Sequence, residues 1–152
     1  MVQILGWLDK QSLQIMGESL TLRLASVEDA SEDYLSWLND PEVNMFLETR
    51  FEIQSLERIR TFIEKVNGST NEVLLAIILR ERLGHIGNIK IGPINDHHQS
   101  AELSYFIGEK SNWGKGFATE AIALCTKFGF EKLSLEKLEA GCYASNIGSQ
   151  RA

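Results

Sequence analysis

A glycine-containing turn between a predicted strand and a predicted helix constrains this chain more than any other feature of its sequence. The run W-G-K-G-F-A-T-E-A occupies residues 113–121, directly after the alternating segment 101–107 and its short connection. Gly114 and Gly116 let the backbone come close to a ligand, and the first N–H groups of a helix have no acceptor within the helix. Such N–H groups favour anions, phosphate above all. The sequence therefore predicts that a phosphorylated cofactor binds at this turn.

Two common phosphate-binding motifs fit the turn poorly. A P-loop needs four residues between its first glycine and the Gly-Lys pair, but five separate Gly108 from Gly114. Gly116 also stands where the Mg²⁺-binding hydroxyl should be. The dinucleotide fingerprint matches only as Gly114-x-Gly116-x-x-Thr119, and its fold needs several βα units where this chain offers one. An NAD-dependent oxidoreductase is therefore a distant alternative.

A third motif is much closer. Trp113-x-x-Gly116-x-Ala118 resembles the Q/R-x-x-G-x-G/A turn that binds the CoA pyrophosphate in the GNAT superfamily of acyl-CoA-dependent N-acetyltransferases, with Trp113 in place of Gln or Arg. The longer string resembles the branch of ribosomal-protein alanine acetyltransferases and amino-sugar acetyltransferases. This resemblance covers about residues 18–152 and implies acetyl-CoA as co-substrate, without a metal. The alternative is a plain strand–turn–helix connection with incidental glycines.

Composition narrows the class of partner. The chain has 152 residues, 43% hydrophobic and 24% charged, with a net charge of −6 and no basic block. These values predict one globular domain over residues 18–152, preceded by a poorly patterned extension at 1–17, and no nucleic-acid partner. The acidity favours amine substrates. The longest apolar run, 73–79, is too short to span a membrane, and two separated thiols, Cys125 and Cys142, indicate a cytoplasmic protein.

Hydrophobic periodicity predicts the order β-α-α-β-β-β-α-β-(α). The predicted strands are 20–24, 73–79, 85–91, 101–107 and 138–143, and the predicted helices end near residues 38, 66 and 130. The pattern Ser26-x-x-Asp29 resembles a capping box before the first helix. This order indicates an α+β fold with a mixed, mostly antiparallel sheet flanked by helices on both faces, which is also the GNAT order. The resemblance implies that strand 101–107 carries a bulge and splays away from the strand after the helix.

The resemblance also implies a cofactor site. The thioester carbonyl is expected on a main-chain N–H among Phe106, Ile107 and Gly108, and Lys115 could add a charge contact to the pyrophosphate. Asn146 would contact the pantetheine arm or cap a helix. The remaining cofactor residues are those of the turn itself: Trp113, Gly114, Gly116, Phe117, Ala118 and Thr119.

Acetyl transfer needs a neutral amine, a polarised carbonyl and a protonated leaving thiolate. Glu102 is the strongest candidate for the base, because partial burial beside the reacting centre would raise its pKa. The alternatives are a solvated Glu102, proton loss through water, or His97 and His98 on the preceding loop. Asn146-x-x-Ser149 matches the branch's N-x-x-S, so Ser149 is the expected acid.

Substrate choice is expected in the loop 39–51, where Asn44, Arg50 and Phe51 are the candidate contacts. The segment resembles amino-sugar acetyltransferases more than protein N-terminal ones, and Arg50 could pair with a nucleotide-sugar phosphate. The expected acceptor is a small-molecule primary amine, with an amino sugar as one candidate. The runner-up is the N-terminus of a ribosomal protein. An inactive acyl-CoA-binding module is the alternative from another class.

The resemblance also raises an expectation about the C-terminus. GNAT relatives continue with the rest of a helix and two further strands, whereas this chain ends six residues after Asn146. We therefore expect a shortened domain whose pantetheine channel lacks one side. Exposed strand edges would then favour a homodimer formed through the sheet.

Overall fold

The computed structural model describes residues 3–45, 47 and 51–140, and within them a single six-stranded sheet is flanked by helices. The strands lie in chain order across the sheet: β1 Gln14–Met16, β2 Leu20–Leu24, β3 Val73–Leu79, β4 Gly84–Asn95, β5 Ser100–Ile107 and β6 Lys137–Glu139. The helices are α1 Glu32–Asn39, α2 Pro41–Asn44, α3 Leu56–Asn67 and α4 Phe117–Glu131. Every strand pair is antiparallel except β5–β6. The predicted α+β fold is confirmed.

Two hydrophobic cores lie on opposite faces of the sheet. β3 is buried along its whole length, as its unbroken apolar sequence predicts, because helices cover both of its faces. One core packs α4 against the sheet, and the other packs α1 and α3 against it. The α4 core includes Leu22, Ile77, Ile89, Leu103 and Cys125, and the α1/α3 core includes Tyr34, Trp37, Ile59, Ile63 and Leu74.

The predicted helices that end near residues 66 and 130 correspond to α3 and α4, but α2 lies within the predicted loop 39–51 and the first helix begins later than predicted. The capping box of Ser26 and Asp29 is present, but it closes a separate 3₁₀ turn, Val27–Asp29. α1 instead begins after Ser31, whose hydroxyl accepts the N–H of Tyr34 at 3.1 Å. Because the two caps lie close together in the sequence, the prediction joined the 3₁₀ turn and α1 into one helix.

The N-terminal residues pack on the domain. β1 pairs with β2 and forms one edge of the sheet, and Leu5 is buried in the α4 core. The ammonium of Lys10 donates to the carbonyl oxygens of Ser69 and Glu72 at 2.7 Å and lies within 3.4 Å of those of Val66 and Asn67, at the end of α3 and the following turn. The described part of the extension therefore contributes a strand to the sheet.

β4 differs from its predicted bounds in a way that shapes the site. It continues past Ile91 through the cis Gly92–Pro93 bond to Asn95, because a bulge between Ile91 and Ile94 frees the proline from ladder hydrogen bonding. A second bulge lies further up: Ile77 pairs with Gly87, but Ile78 pairs with His85. In both places the extra residue belongs to β4. The bulge predicted on 101–107 is therefore wrong.

β5 and β6 pair only over Ser100–Glu102. The remainder of β5, residues 103–107, has no strand partner on that side within the described residues. This leaves an open edge leading from the end of β6 toward the glycine turn, where the splay was expected. In the described part of the chain, no helix has the length and apolar character needed to cross a bilayer.

Candidate active site

The glycine turn is open to solvent, and its two glycines have positive φ angles. Gly114 has φ 75° and Gly116 has φ 82°. Both values lie in the left-handed region, which is sterically unfavourable for residues that have a Cβ. No heavy atom lies within 4 Å of the position that a Cβ would take on either glycine. Space for a ligand therefore exists directly in front of the turn.

The first turn of α4 presents free N–H groups to this space. Its first helical hydrogen bond runs from the N–H of Glu120 to the carbonyl of Gly116 at 3.0 Å, so the amides of 117–119 precede the helical ladder. Gly116 supplies no side-chain cap. The carboxylate of Glu120 accepts the N–H groups of Ser19 and Leu20, which directs its negative charge toward β2. This arrangement suits an anion such as a pyrophosphate.

Polar contacts on both sides hold the turn in place. The indole N–H of Trp113 donates to the carbonyl oxygen of Ile107 at 2.7 Å, although the side chain is 43% exposed. Lys110, in the 3₁₀ turn before Trp113, forms an ion pair with Asp40 at 2.8 Å. The turn is thereby tied to β5 and to the start of α2. Lys115 is exposed and forms no ion pair with the described residues.

Of the three residues predicted to bind the thioester carbonyl, one directs its amide to the open edge of β5. The N–H of Gly108 donates to the carbonyl of Ile86 at 2.8 Å and is therefore used within the sheet. Alternate residues of a strand point their N–H groups to opposite sides, so Phe106 also faces β4. Ile107 faces the open edge, on the same side as Trp113. Of the three predicted donors, Ile107 alone is oriented for a ligand there.

An aromatic wall stands on the α1/α3 face next to this amide. The rings of Tyr34, Trp37 and Phe106 lie with centroids 5.9 to 6.4 Å apart. A Cβ on Gly108 would lie 2.1 Å from Cδ2 of Trp37, so only glycine lets the indole pass against the backbone. The wall and the end of β5 are therefore packed as one unit.

Glu102 lies further down β5 on the same face as Phe106. It is exposed, so the predicted partial burial is wrong; Ala101 and Leu103 occupy the buried face because side chains alternate. Glu102 lines a cavity of about 640 Å³ whose other charged or titratable side chains are Asp96, His97, Lys137 and Glu139. His97 thus lies near Glu102, whereas His98 is exposed and does not line the cavity.

A histidine that the sequence did not single out lies beside the aromatic wall. Nε2 of His85 is 2.8 Å from Oδ1 of Asn88, and the imidazole centroid is 5.3 Å from that of Trp37 and 5.7 Å from that of Tyr34. Asn88 is only 2% exposed, and its Nδ2 has no hydrogen-bond partner among the described residues. Burial, partly offset by the Asn88 side chain, raises the pKa of Tyr34 to about 12 and keeps its phenol protonated.

The remaining predicted residues fall into two groups. Arg50, Asn146 and Ser149 lie outside the described residues, so their roles stay predictions. Asn44 donates its amide to the carbonyl of Leu38 at 2.8 Å, closing the α1–α2 connection, while Phe51 is 69% exposed.

Two further observations concern metal and thiol chemistry. No group of three or more His, Cys, Asp or Glu side chains in the described part of the chain could hold a metal ion. Cys125 is a buried thiol on α4, and burial raises its pKa to about 12. That thiol is protonated and packed in the core.

Comparison with known proteins agrees with this geometry. The sequence profile of the acetyltransferase (GNAT) domain matches residues 19–152, so the chain belongs to the GNAT acetyltransferases, and the expected family is confirmed. The chain is 33% identical over 138 residues to the uncharacterized N-acetyltransferase p20 of Bacillus licheniformis, which is 87% of this chain and 74% of the relative. The predicted enzyme class, an N-acetyltransferase, is confirmed by this relationship.

Solved structures share the fold. A GNAT-family acetyltransferase from Bacillus anthracis has a TM-score of 0.78 at 24% identity, over 91% of this chain and 79% of its own. A microcin C7 self-immunity acetyltransferase, solved with acetyl-CoA and AMP, has a TM-score of 0.74 at 19% identity, over 89% and 76%.

Proposed function

We propose that this chain transfers the acetyl group of acetyl-CoA to a primary amine, by direct attack within a ternary complex. The observation that carries the proposal is the open turn at Gly114 and Gly116, with the free amides of α4 beside it and the edge amide of Ile107 next to it. One ligand that is anionic at one end and carries a carbonyl at the other suits both features. Acetyl-CoA is such a ligand, and the microcin self-immunity enzyme of the same fold was solved with it bound.

In this proposal the donor lies along the open edge of β5. The amides of residues 114–119 bind the pyrophosphate, with Lys115 adding charge. The pantetheine arm follows residues 103–107, where β6 no longer pairs with β5. The thioester carbonyl accepts the N–H of Ile107, which polarises it for attack. The proposed role of Ser149 is to protonate the leaving thiolate, and that of Asn146 is to contact the arm.

The acceptor approaches from the face that carries Glu102. The cavity there contains three carboxylates, Glu102, Glu139 and Asp96, with Lys137 paired to Glu139 at 2.6 Å. A local excess of negative charge attracts an ammonium group, as does the net charge of −6. Glu102 is proposed to take the proton that this ammonium must lose before it can attack. The ammonium group of the acceptor therefore fits this cavity better than an anionic group would.

An amino sugar is the acceptor that the 37–51 segment favours, with Arg50 binding its phosphate. An acetyltransferase of protein N-termini and an inactive acyl-CoA-binding module are the competing functions. Calorimetric titration with acetyl-CoA, NAD and ATP tests the donor. Release of free CoA thiol in the presence of a nucleotide-linked amino sugar, glucosamine, or peptides beginning with Ala or Ser tests the acceptor.

The outcomes separate the alternatives. Micromolar binding of acetyl-CoA alone, with thiol release on the amino sugars, is the expected result, and Arg50→Ala should then raise KM for the phosphorylated sugar. Thiol release only on the peptides would move the proposal to protein N-termini. Binding without release on any amine would favour the acyl-CoA-binding module, and binding of NAD would contradict the donor assignment.

A further inference from the structure

The pair formed by His85 and Asn88 has the geometry of an oriented base. In many active sites a neighbouring side chain orients a histidine base. Its hydrogen bond fixes the position of the imidazole ring and determines which ring nitrogen carries the hydrogen. Here Oδ1 of Asn88 faces Nε2 of His85 at 2.8 Å, and a carbonyl oxygen can only accept. Nε2 therefore carries the hydrogen, and Nδ1 keeps a lone pair. That lone pair is available to accept a proton.

The bulge in β4 creates this pair. Residues three apart on a regular strand point to opposite faces. The extra residue between Gly87 and His85 reverses the alternation, so that His85 and Asn88 project to the α1/α3 face together. A Cβ on Gly87 would lie 2.1 Å from the carbonyl oxygen of Phe106, so a glycine is required where β4 passes β5 at the bulge.

His85 lies closer to the edge amide than Glu102 does. Gly87 pairs directly with Ile107, and His85 is two residues further along β4. At a strand spacing of about 5 Å and a rise of about 3.3 Å per residue, the Cα of His85 lies about 8 Å from that of Ile107. Five residues along β5 place Glu102 about 17 Å from Ile107. A proton released at the thioester is therefore nearer to His85.

We propose that His85, oriented by Asn88, accepts the proton that the acceptor nitrogen loses after it attacks the acetyl group, directly or across one water. This inference rests on the proposed acetyl transfer, in which the acceptor nitrogen loses two protons. It assigns the first of them to Glu102 and the second to His85. The ammonium loses its first proton to Glu102 in the cavity, and the neutral amine then moves along β5 to the thioester at Ile107. Its lone pair forms the C–N bond, and the C–S bond breaks with its electron pair on sulfur. The second N–H proton passes to Nδ1, the thiolate takes a proton and leaves as CoA thiol, and His85 returns its proton to solvent.

The surroundings of His85 suit a proton carrier. Asp29 is the carboxylate within electrostatic range of its imidazole, and Arg23 forms a bidentate ion pair with that carboxylate, at 2.7 and 2.8 Å. Tyr34 is neutral, and Trp37 contributes only its ring. Asn88 is 2% exposed, and its side chain also acts on the Tyr34 phenol, so the amide that orients His85 is held between two partners.

The test uses His85→Gln, since glutamine can still donate to Asn88 but cannot accept a proton. His98→Gln, on an exposed histidine of the β4–β5 turn that does not line the Glu102 cavity, is the matched control. With the amine that wild type acetylates best, His85→Gln should lower kcat at pH 7 by about 100-fold or more and leave acetyl-CoA affinity and KM for the amine near wild type. The acidic limb of the wild-type pH profile of kcat should be absent from the variant. Glu102→Gln should instead raise KM for the amine.

Wild-type kcat and an unchanged pH profile in His85→Gln would overturn the inference. Loss of acetyl-CoA affinity together with kcat would also overturn it, because His85 would then be structural. A second measurement does not need turnover. ¹H–¹⁵N spectra of the imidazole groups report the tautomer of each of the three histidines in wild type, and His→Gln variants assign the signals. His85 should be in the Nε2–H form when neutral. The Nδ1–H form would sink the inference even if no tested amine is acetylated and the proposed function itself fails.

Discussion

The indole N–H of Trp113 donates to the carbonyl oxygen of Ile107, 2.7 Å away, and so joins the glycine turn to the end of β5. The corresponding position of the family motif carries Gln or Arg, whose side chains also donate hydrogen bonds. Tryptophan keeps one N–H donor while adding a large apolar surface. The departure from the motif therefore preserves a donor and fixes the residue whose amide faces the open edge.

Replacing Trp113 with Phe should weaken acetyl-CoA binding without unfolding the protein. The ring is 43% exposed, so the loss is mainly one hydrogen bond of about 0.5–1.5 kcal/mol, or about 2- to 12-fold in Kd. Calorimetric titration measures the change. Phe130→Leu, at the far end of α4 with 44% exposure, is the control and should bind as wild type. Equal affinity in Trp113→Phe would show that the bond does not hold the turn.

Substituting Gly116 with Ala tests whether conformation alone sets the turn. A Cβ at Gly116 meets no atom within 4 Å, so any effect comes from its φ of 82° rather than from a clash. The left-handed region costs a residue with a Cβ about 1–2 kcal/mol. Urea unfolding should show that loss, and acetyl-CoA affinity should also fall. Gly68→Ala, at a position with φ −83°, should change stability by less than about 0.5 kcal/mol.

Local sequence signals predicted the elements whose boundaries are set locally. The apolar run Val73–Leu79 is the strand β3 to the residue, and Ser55 caps α3, its hydroxyl accepting the N–H of Arg58. β4 was predicted too short because Gly92–Pro93 normally ends a strand. The bulge that removes the need for an N–H there depends on pairing with β5, which no local pattern shows.

The same limit explains why the site was only partly predicted. The phosphate-binding turn follows from glycines next to a helix start, and the open edge of β5 follows from family resemblance. His85 and Asn88 read as residues on opposite faces of a strand. Their contact depends on one extra residue in the register between β3 and β4. A cross-strand register is a non-local property, so the candidate proton acceptor emerged only from the fold.

The ion pair of Asp29 with Arg23 predicts a component of acid sensitivity. Burial alone would raise the pKa of Asp29, but hydrogen bonds from Arg23 and from the N–H of Ser26 outweigh it and lower that pKa. A carboxyl whose folded pKa is lowered stabilises the fold above the unfolded value, about 3.9, and loses this contribution as the pH falls through the folded value.

Asp29→Asn should therefore cost about 1–2 kcal/mol at pH 6, discounted because Arg23 is 39% exposed. The difference from wild type should shrink as the pH falls from 5 toward 2.5. Urea unfolding at several pH values measures it. Glu28→Gln, an exposed neighbour, should show no such convergence. A gap between Asp29→Asn and wild type that stays constant with pH would contradict the lowered pKa.

The contact between Gly108 and Trp37 predicts strong coupling between two substitutions. A Cβ on Gly108 would lie 2.1 to 2.5 Å from three indole atoms, far inside van der Waals contact, so Gly108→Ala should destabilise the fold by about 2–4 kcal/mol. Trp37→Ala removes all three atoms and should itself cost about 3–5 kcal/mol. In that background Gly108→Ala should cost less than about 1 kcal/mol. A double-mutant cycle by urea unfolding gives the coupling.

Gly84→Ala, whose Cβ would meet only the flexible side chain of Arg82 at 3.3 Å, should cost the same with or without Trp37. Additive costs for Gly108→Ala and Trp37→Ala would mean that the indole does not pack against the end of β5, and the aromatic wall would then lose its place beside the Ile107 amide.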